Sequence, residues 1–116
     1  MKLEGAFPFV GEVIWLRPEQ GGRASGPPRP AGESDYAATA FVPPMNVTSG
    51  LASFVLRAFT AGSWRSAAEG RWLVVENEGD YTVMAGTVVV VTEGPKAVAY
   101  FRVDQISGRG EPLTAR

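Results

Sequence analysis

The sequence predicts an all-β fold, a small closed or nearly closed antiparallel β-barrel of about six strands. Three observations carry that expectation. The apolar stretches are short, rich in β-branched and aromatic residues, and separated by Gly and Pro. Read between that Gly and Pro punctuation, the elements include almost no helix. Finally, residues Gly86 to Ile106 read as a hairpin, with two apolar runs joined by Thr92-Glu93-Gly94-Pro95-Lys96. Closure into a barrel is favoured over an open sheet because free edges on such valine-rich strands would template aggregation.

Taken in order, Phe9 to Leu16 is the first strand. Phe9, Gly11, Val13 and Trp15 share the inward face, and Glu12 marks the other, although Val10, Ile14 and Leu16 on that side are apolar. Pro18 to Gly32 is a long loop whose Gly and Pro content forbids helix or central strand. Arg17, Arg23 and Arg29 sit in or beside it. Together with the Gly21-Gly22 amides they can hold an anion, or the loop is simply solvated and flexible. Gly21-Gly22 does not begin a nucleotide-hydrolase phosphate loop, since no Gly-Lys-Ser/Thr follows.

Tyr36 to Val42 is the second strand, stopped by Pro43-Pro44, and Leu51 to Phe59 is the third, with Arg57 outward. Thr60 to Gly70 reads as a turn region in which only Ser66 to Glu69 has the makings of a helical turn. Arg71 to Val75 is the fourth strand. Glu76 to Asp80 is an acidic turn without the twelve-residue calcium pattern. Tyr81 to Met84 offers a short strand before the hairpin. Within the hairpin, Ala97, Ala99, Phe101 and Val103 point one way and Val98, Tyr100 and Arg102 the other. Val88 to Val91 are apolar on both parities, so only half of them can fill a barrel interior. These elements define one barrel domain over residues 8–106, preceded by an extension, 1–7, and followed by a tail, 107–116, expected to be disordered.

Composition narrows function. With 116 residues the chain is sized for a single domain, and 45% hydrophobic against 20% charged residues is ordinary globular composition. A net charge of −1 does not suggest DNA or a membrane surface as partner. There is no Cys, hence no disulfide or thiolate, and no His, which removes the commonest general base and metal ligand. No cofactor, metal site or catalytic residue is therefore expected. The N-terminus lacks a secretory h-region and no run matches a membrane span, so a cytoplasmic location is expected. Asn46-Val47-Thr48 is read as a chance tripeptide rather than a glycosylation acceptor.

Two stretches resemble the C-terminal (third) β-barrel domain of bacterial elongation factor Tu. The first is Phe9 to Leu16, with Glu12 in phase, followed by Glu19-Gln20-Gly21-Gly22-Arg23. The second is Val88 to Val91, the Thr92–Lys96 turn, and Val98 to Ile106. Gly26-Pro27-Pro28-Arg29-Pro30 stands near the family's tRNA-gripping loop but lacks its Tyr, Gln and Phe. The family's GTP-binding motifs, Gly-x-x-x-x-Gly-Lys and Asn-Lys-x-Asp, do not occur in these residues, so GTP hydrolysis is not expected of them. The resemblance implies the barrel and, more weakly, contact with RNA through Arg29, Glu93 and Gly94.

Two functions follow as expectations. The first is a non-enzymatic module that binds a protein through an apolar barrel face containing Val88 and Val90. The alternative is a weak RNA or tRNA-acceptor binder using Arg23, Arg29, Glu93, Gly94 and Lys96. The oligomeric state is left open.

Overall fold

The computed structural model describes residues 7–29, 35–43, 51–73 and 83–106. Six strands close into an antiparallel barrel: β1 (Phe9–Trp15), β2 (Tyr36–Phe41), β3 (Ala52–Arg57), β4 (Arg65–Trp72), β5 (Val88–Glu93) and β6 (Lys96–Ile106). Around the barrel the order is β1-β4-β3-β2-β5-β6. β1 is thus held between β4 and β6, pairing Gly11 with Ala68 on one side and Val103 on the other.

Period-two alternation builds the interior. β1 sends Phe9, Val13 and Trp15 inward, β3 sends Phe54 and Leu56, and β6 sends Ala99, Phe101 and Val103, all into one core cluster with Trp72, Val89 and Val91. Aromatic rings dominate that core. Phe54 meets Trp72 edge-on at 4.9 Å between centroids and lies 5.9 Å from Phe101. At the other end Trp15 meets Tyr36 edge-on at 5.2 Å and Phe59 at 5.8 Å.

β4 corrects the sequence reading. It begins at Arg65, six residues before the predicted Arg71, and Ser66 to Glu69 are strand rather than a helical turn. Its inward positions are Ser66, Ala68, Gly70 and Trp72, three of them small or polar, so hydrophobic periodicity is faint. The smallness has a cause. A Cβ at Gly70 would lie 2.7 Å from Phe54 Cζ and 3.0 Å from Phe101 Cε2. Rings from β3 and β6 occupy the space that β4 leaves.

Other boundaries shift for local reasons. β3 stops at Arg57, short of the predicted Phe59, because Ala58 turns left-handed at φ 66°. The predicted strand at 81–84 is not found in its described part. Val83 and Met84 are outside any strand, and Met84 to Thr87 form a turn in which the Thr87 amide donates to Met84 O at 3.0 Å. The hairpin turn shortens to Gly94-Pro95, because Glu93 and Lys96 pair across it. Gly94, at φ 64°, fills the first central position, where a II′ turn requires positive φ.

Val98, assigned outward from its parity, is buried in the core. Val91 pairs with Ala99 but Thr92 pairs with Ala97, so Val98 is the extra residue of a β-bulge. The bulge resets the alternation. The loop after β1 also contains a single 3-10 turn, Pro18–Gln20, where no helix was expected. The acidic turn at 76–80, Asn46-Val47-Thr48, the extension 1–6 and the tail 107–116 lie outside the described residues.

Candidate functional site

The outer surface offers three arrangements. The first is an apolar row. Register places Ile14 opposite Tyr100, Tyr100 opposite Val90, and Val90 opposite Phe41. Four neighbouring strands, β1, β6, β5 and β2, therefore present one line of apolar side chains. Tyr100 is 40% exposed and Val88, one step along β5, is 38% exposed, while Val90 is only 8% exposed between its two aromatic neighbours. Of the two valines expected to touch a partner, Val88 is accessible and Val90 supports the row from beneath.

Charge borders this row. Arg65 Nε and Nη2 donate to Glu12 Oε2 and Oε1 at 2.8 and 3.2 Å, Arg102 Nη2 stands 3.1 Å from Glu12 Oε1, and Arg102 Nε donates to Asp104 at 2.9 Å. The hydrogen bond from Arg65 is the main reason that the Glu12 carboxyl sits below its ordinary range. Another ion pair is largely covered, with the Asp35 side chain only 2% exposed. Arg57 grips Asp35 with two hydrogen bonds of 2.9 Å and stacks over Phe7 at 3.8 Å.

The second arrangement joins residues far apart in sequence. Arg23 Nε donates to Glu93 Oε2 at 2.9 Å, the Tyr36 hydroxyl donates to the same oxygen, and Arg23 Nη1 donates to Gly26 O. Burial, reinforced by the Glu93 hydrogen bond, pushes the Tyr36 phenol far above the ordinary tyrosine range. Beside this network an open surface pocket of about 460 Å³ lies across β2, reaching from Ser53 and Leu73 past Thr39 to Thr92, Glu93 and Gly94.

The third arrangement is the loop after β1. Its cations do not converge on Gly21-Gly22. The Gly21 amide donates to Pro18 O and the Gly22 amide to Arg17 O, each at 3.0 Å, so neither faces an anion. Arg17 lies over the Trp64 ring at 4.5 Å. Arg23 is paired with Glu93. The Arg29 guanidinium lies so close to Gly62 that a Cβ there would come within 2.5 Å of it. Lys96 is exposed, opposite Glu93 in register. Structure thus brings Arg23, Glu93, Gly94 and Lys96 to one end of the β5–β6 hairpin, and holds Arg29 against the β3–β4 connection.

Sequence reasoning missed three of these participants. Trp64 comes from the β3–β4 connection and supplies the ring that the arginine-bearing loop lacks. Tyr36 and Phe41 sit on opposite parities of β2, and that alternation was a usable signal for Phe41. Nothing local could have announced the Tyr36–Glu93 contact, which spans barrel closure. Among the described residues no group of three or more His, Cys, Asp or Glu is arranged to hold a metal, and no helix is long and apolar enough to cross a membrane. Comparison with known proteins finds no matching family model, no curated relative and no similar solved structure.

Proposed function

We propose that this barrel is a non-enzymatic interaction module that binds a protein partner across β1, β6, β5 and β2. The observation that carries the reading is the row Ile14–Tyr100–Val90–Phe41, an apolar line flanked by the Glu12, Arg65, Arg102 and Asp104 charges. An aromatic anchor within an apolar strip and a charged border is the usual anatomy of a protein contact. Cover contributes less per side chain than the roughly 1.5–3 kcal/mol of burying a fully exposed one, because Val90 is already buried and Ile14 and Phe41 are half-buried.

The test is affinity capture from native extract with a photo-reactive residue replacing Tyr100, with and without RNase. The expected result is a protein adduct that survives RNase and disappears when Val88→Lys is added to a variant that keeps the parent's circular dichroism. Absence of any adduct, or one that RNase abolishes, overturns the reading.

Weak RNA binding is the second reading. It rests on the resemblance to the translation-factor barrel and on Arg17 lying over the half-buried Trp64 ring, since a cation beside an aromatic ring is what stacked bases use.

A further inference from the structure

The seam between β2 and β5 is the shortest ladder of the closed barrel. Their ladder consists of Thr39–Thr92, Ala40–Val91 and Phe41–Val90, whereas β2 pairs with β3 from Tyr36 onward. Beyond Thr92 the β5 chain turns away at Gly94. Ala38 stands opposite Glu93, the last residue of β5, and Tyr36 and Ala37 have a strand on one side and, among the described residues, none on the other. Alternate residues of a strand direct both N–H and C=O to the same neighbour. At least one of Tyr36 and Ala37 must then offer both groups to the gap, and an open surface pocket of about 460 Å³ runs from Glu93 and Gly94 across β2 to Ser53 and Leu73. Little crowds this edge, because Ala37 is short and exposed and a Cβ built on Gly94 would meet nothing within 4 Å.

Charge at the end of the gap is directional. Arg23 and Tyr36 both donate to Glu93 Oε2, so they fix the carboxylate while Oε1 accepts from none of the described residues. The Glu93 side chain is 41% exposed. An internal segment laid along β2 would run into the Glu93–Gly94 turn and would have to bend away. A chain end can stop there.

We propose that the gap binds the free amino terminus of an extended polypeptide, which adds as a short strand beside Tyr36 and Ala37 and places its ammonium on Glu93 Oε1. The main-chain hydrogen bonds would supply affinity and the carboxylate would supply the preference for a terminus. This site is separate from the apolar row and does not depend on it.

The test uses the full chain, labelled with nitrogen-15, titrated with three peptides: Ala-Val-Thr-Val-amide with a free amine, its N-acetylated form, and N-acetyl-Lys-Val-Thr-Val-amide. Saturable amide shifts at Ala37, Ala38 and Gly94 are expected with the first, and binding about tenfold weaker with the second. Glu93→Gln should remove that difference while leaving the amide spectrum otherwise dispersed. Several results overturn the proposal: no saturable shift at millimolar peptide, equal binding of free and acetylated peptides, or shifts confined to Ile14 and Tyr100. Binding of the lysine peptide as tightly as the first would overturn the assignment to a chain terminus. Equal binding of a backbone N-methylated free-amine peptide would overturn strand addition.

Discussion

Two glycines show how little room the barrel has. At Gly70 an added methyl would meet the rings of Phe54 and Phe101, and at Gly11 it would fall 1.8 Å from the Arg102 carbonyl oxygen. Rings can shift by a few tenths of an ångström, but a paired backbone cannot do so without breaking the β1–β6 ladder. Gly70→Ala should therefore cost about 1–3 kcal/mol, the range for overpacking, and Gly11→Ala more. Urea denaturation of the two variants, read as midpoint at unchanged slope, checks the order. Glu12 sets a different test at this scale. Its folded carboxyl is held below its unfolded value, mainly by Arg65. The stability this contributes is present above the unfolded pKa, about 4.3, and is lost as pH falls from there through the lower folded value. Glu12→Gln should flatten the loss of stability in that acid window and leave the profile between pH 6 and about 8 parallel to the parent. Thermal melts across pH check it.

At the scale of elements, what could be read in advance depended on how each strand's information is stored. β1 announces itself because Phe9, Val13 and Trp15 carry the inward parity in their own side chains. The hairpin likewise combines β-branched runs with a Gly-Pro turn. β4 does not, since its inward face is set by the size of residues on β3 and β6 and reads locally as Ser, Ala and Gly. The same gap hid the proposed contact surface. Tyr100 could be placed outward from parity, but its alignment with Ile14, Val90 and Phe41 is a matter of register across four strands, and Glu93's partners come from a loop and a strand on the far side of closure. Val98 shows the limit within a single strand, because one bulge reverses the alternation that precedes it. The bulge makes a contrasting prediction. Val98→Thr, which buries a hydroxyl in the core, should cost about 1–3 kcal/mol, whereas Val88→Thr on the exposed side should fall within about 0.5 kcal/mol of the parent. Equal effects in equilibrium unfolding would mean that Val98 faces solvent.

Across the whole molecule, charge is balanced and locally committed. Arg23, Arg57, Arg65 and Arg102 all have carboxylate partners, which leaves Arg17, Arg29 and Lys96 as the described cations best placed for phosphate. Neutralising about three phosphates would give a log–log salt slope of roughly −2 to −3 and non-specific affinity of roughly 10⁻⁴ M or weaker. Trp64 beside Arg17 can add about 1–3 kcal/mol for one stacked base, still short of tight binding. Filter binding of aminoacylated and deacylated tRNA at two salt concentrations should show this weak, salt-sensitive association. Submicromolar affinity at physiological salt would place RNA ahead of a protein partner.

The position of β1 between β4 and β6 also dictates how the fold can be reached. Phe9 must find Gly70 on one flank and Ile106 on the other. Neither contact is local, and the second spans nearly the whole described chain. Loop-closure entropy must be met before either ladder stabilises anything, a circumstance that slows all-β domains to milliseconds or seconds. During synthesis β4 emerges before β6, so one flank of the first strand must stay unpaired until β6 has left the ribosome. For that interval the nascent chain presents the apolar, unpaired edge that the finished barrel eliminates. A chaperone that recognises extended apolar segments would therefore find its target in β1, and stopped-flow refolding monitored by tryptophan fluorescence should show burial developing on the slow timescale of closure rather than in an early collapse.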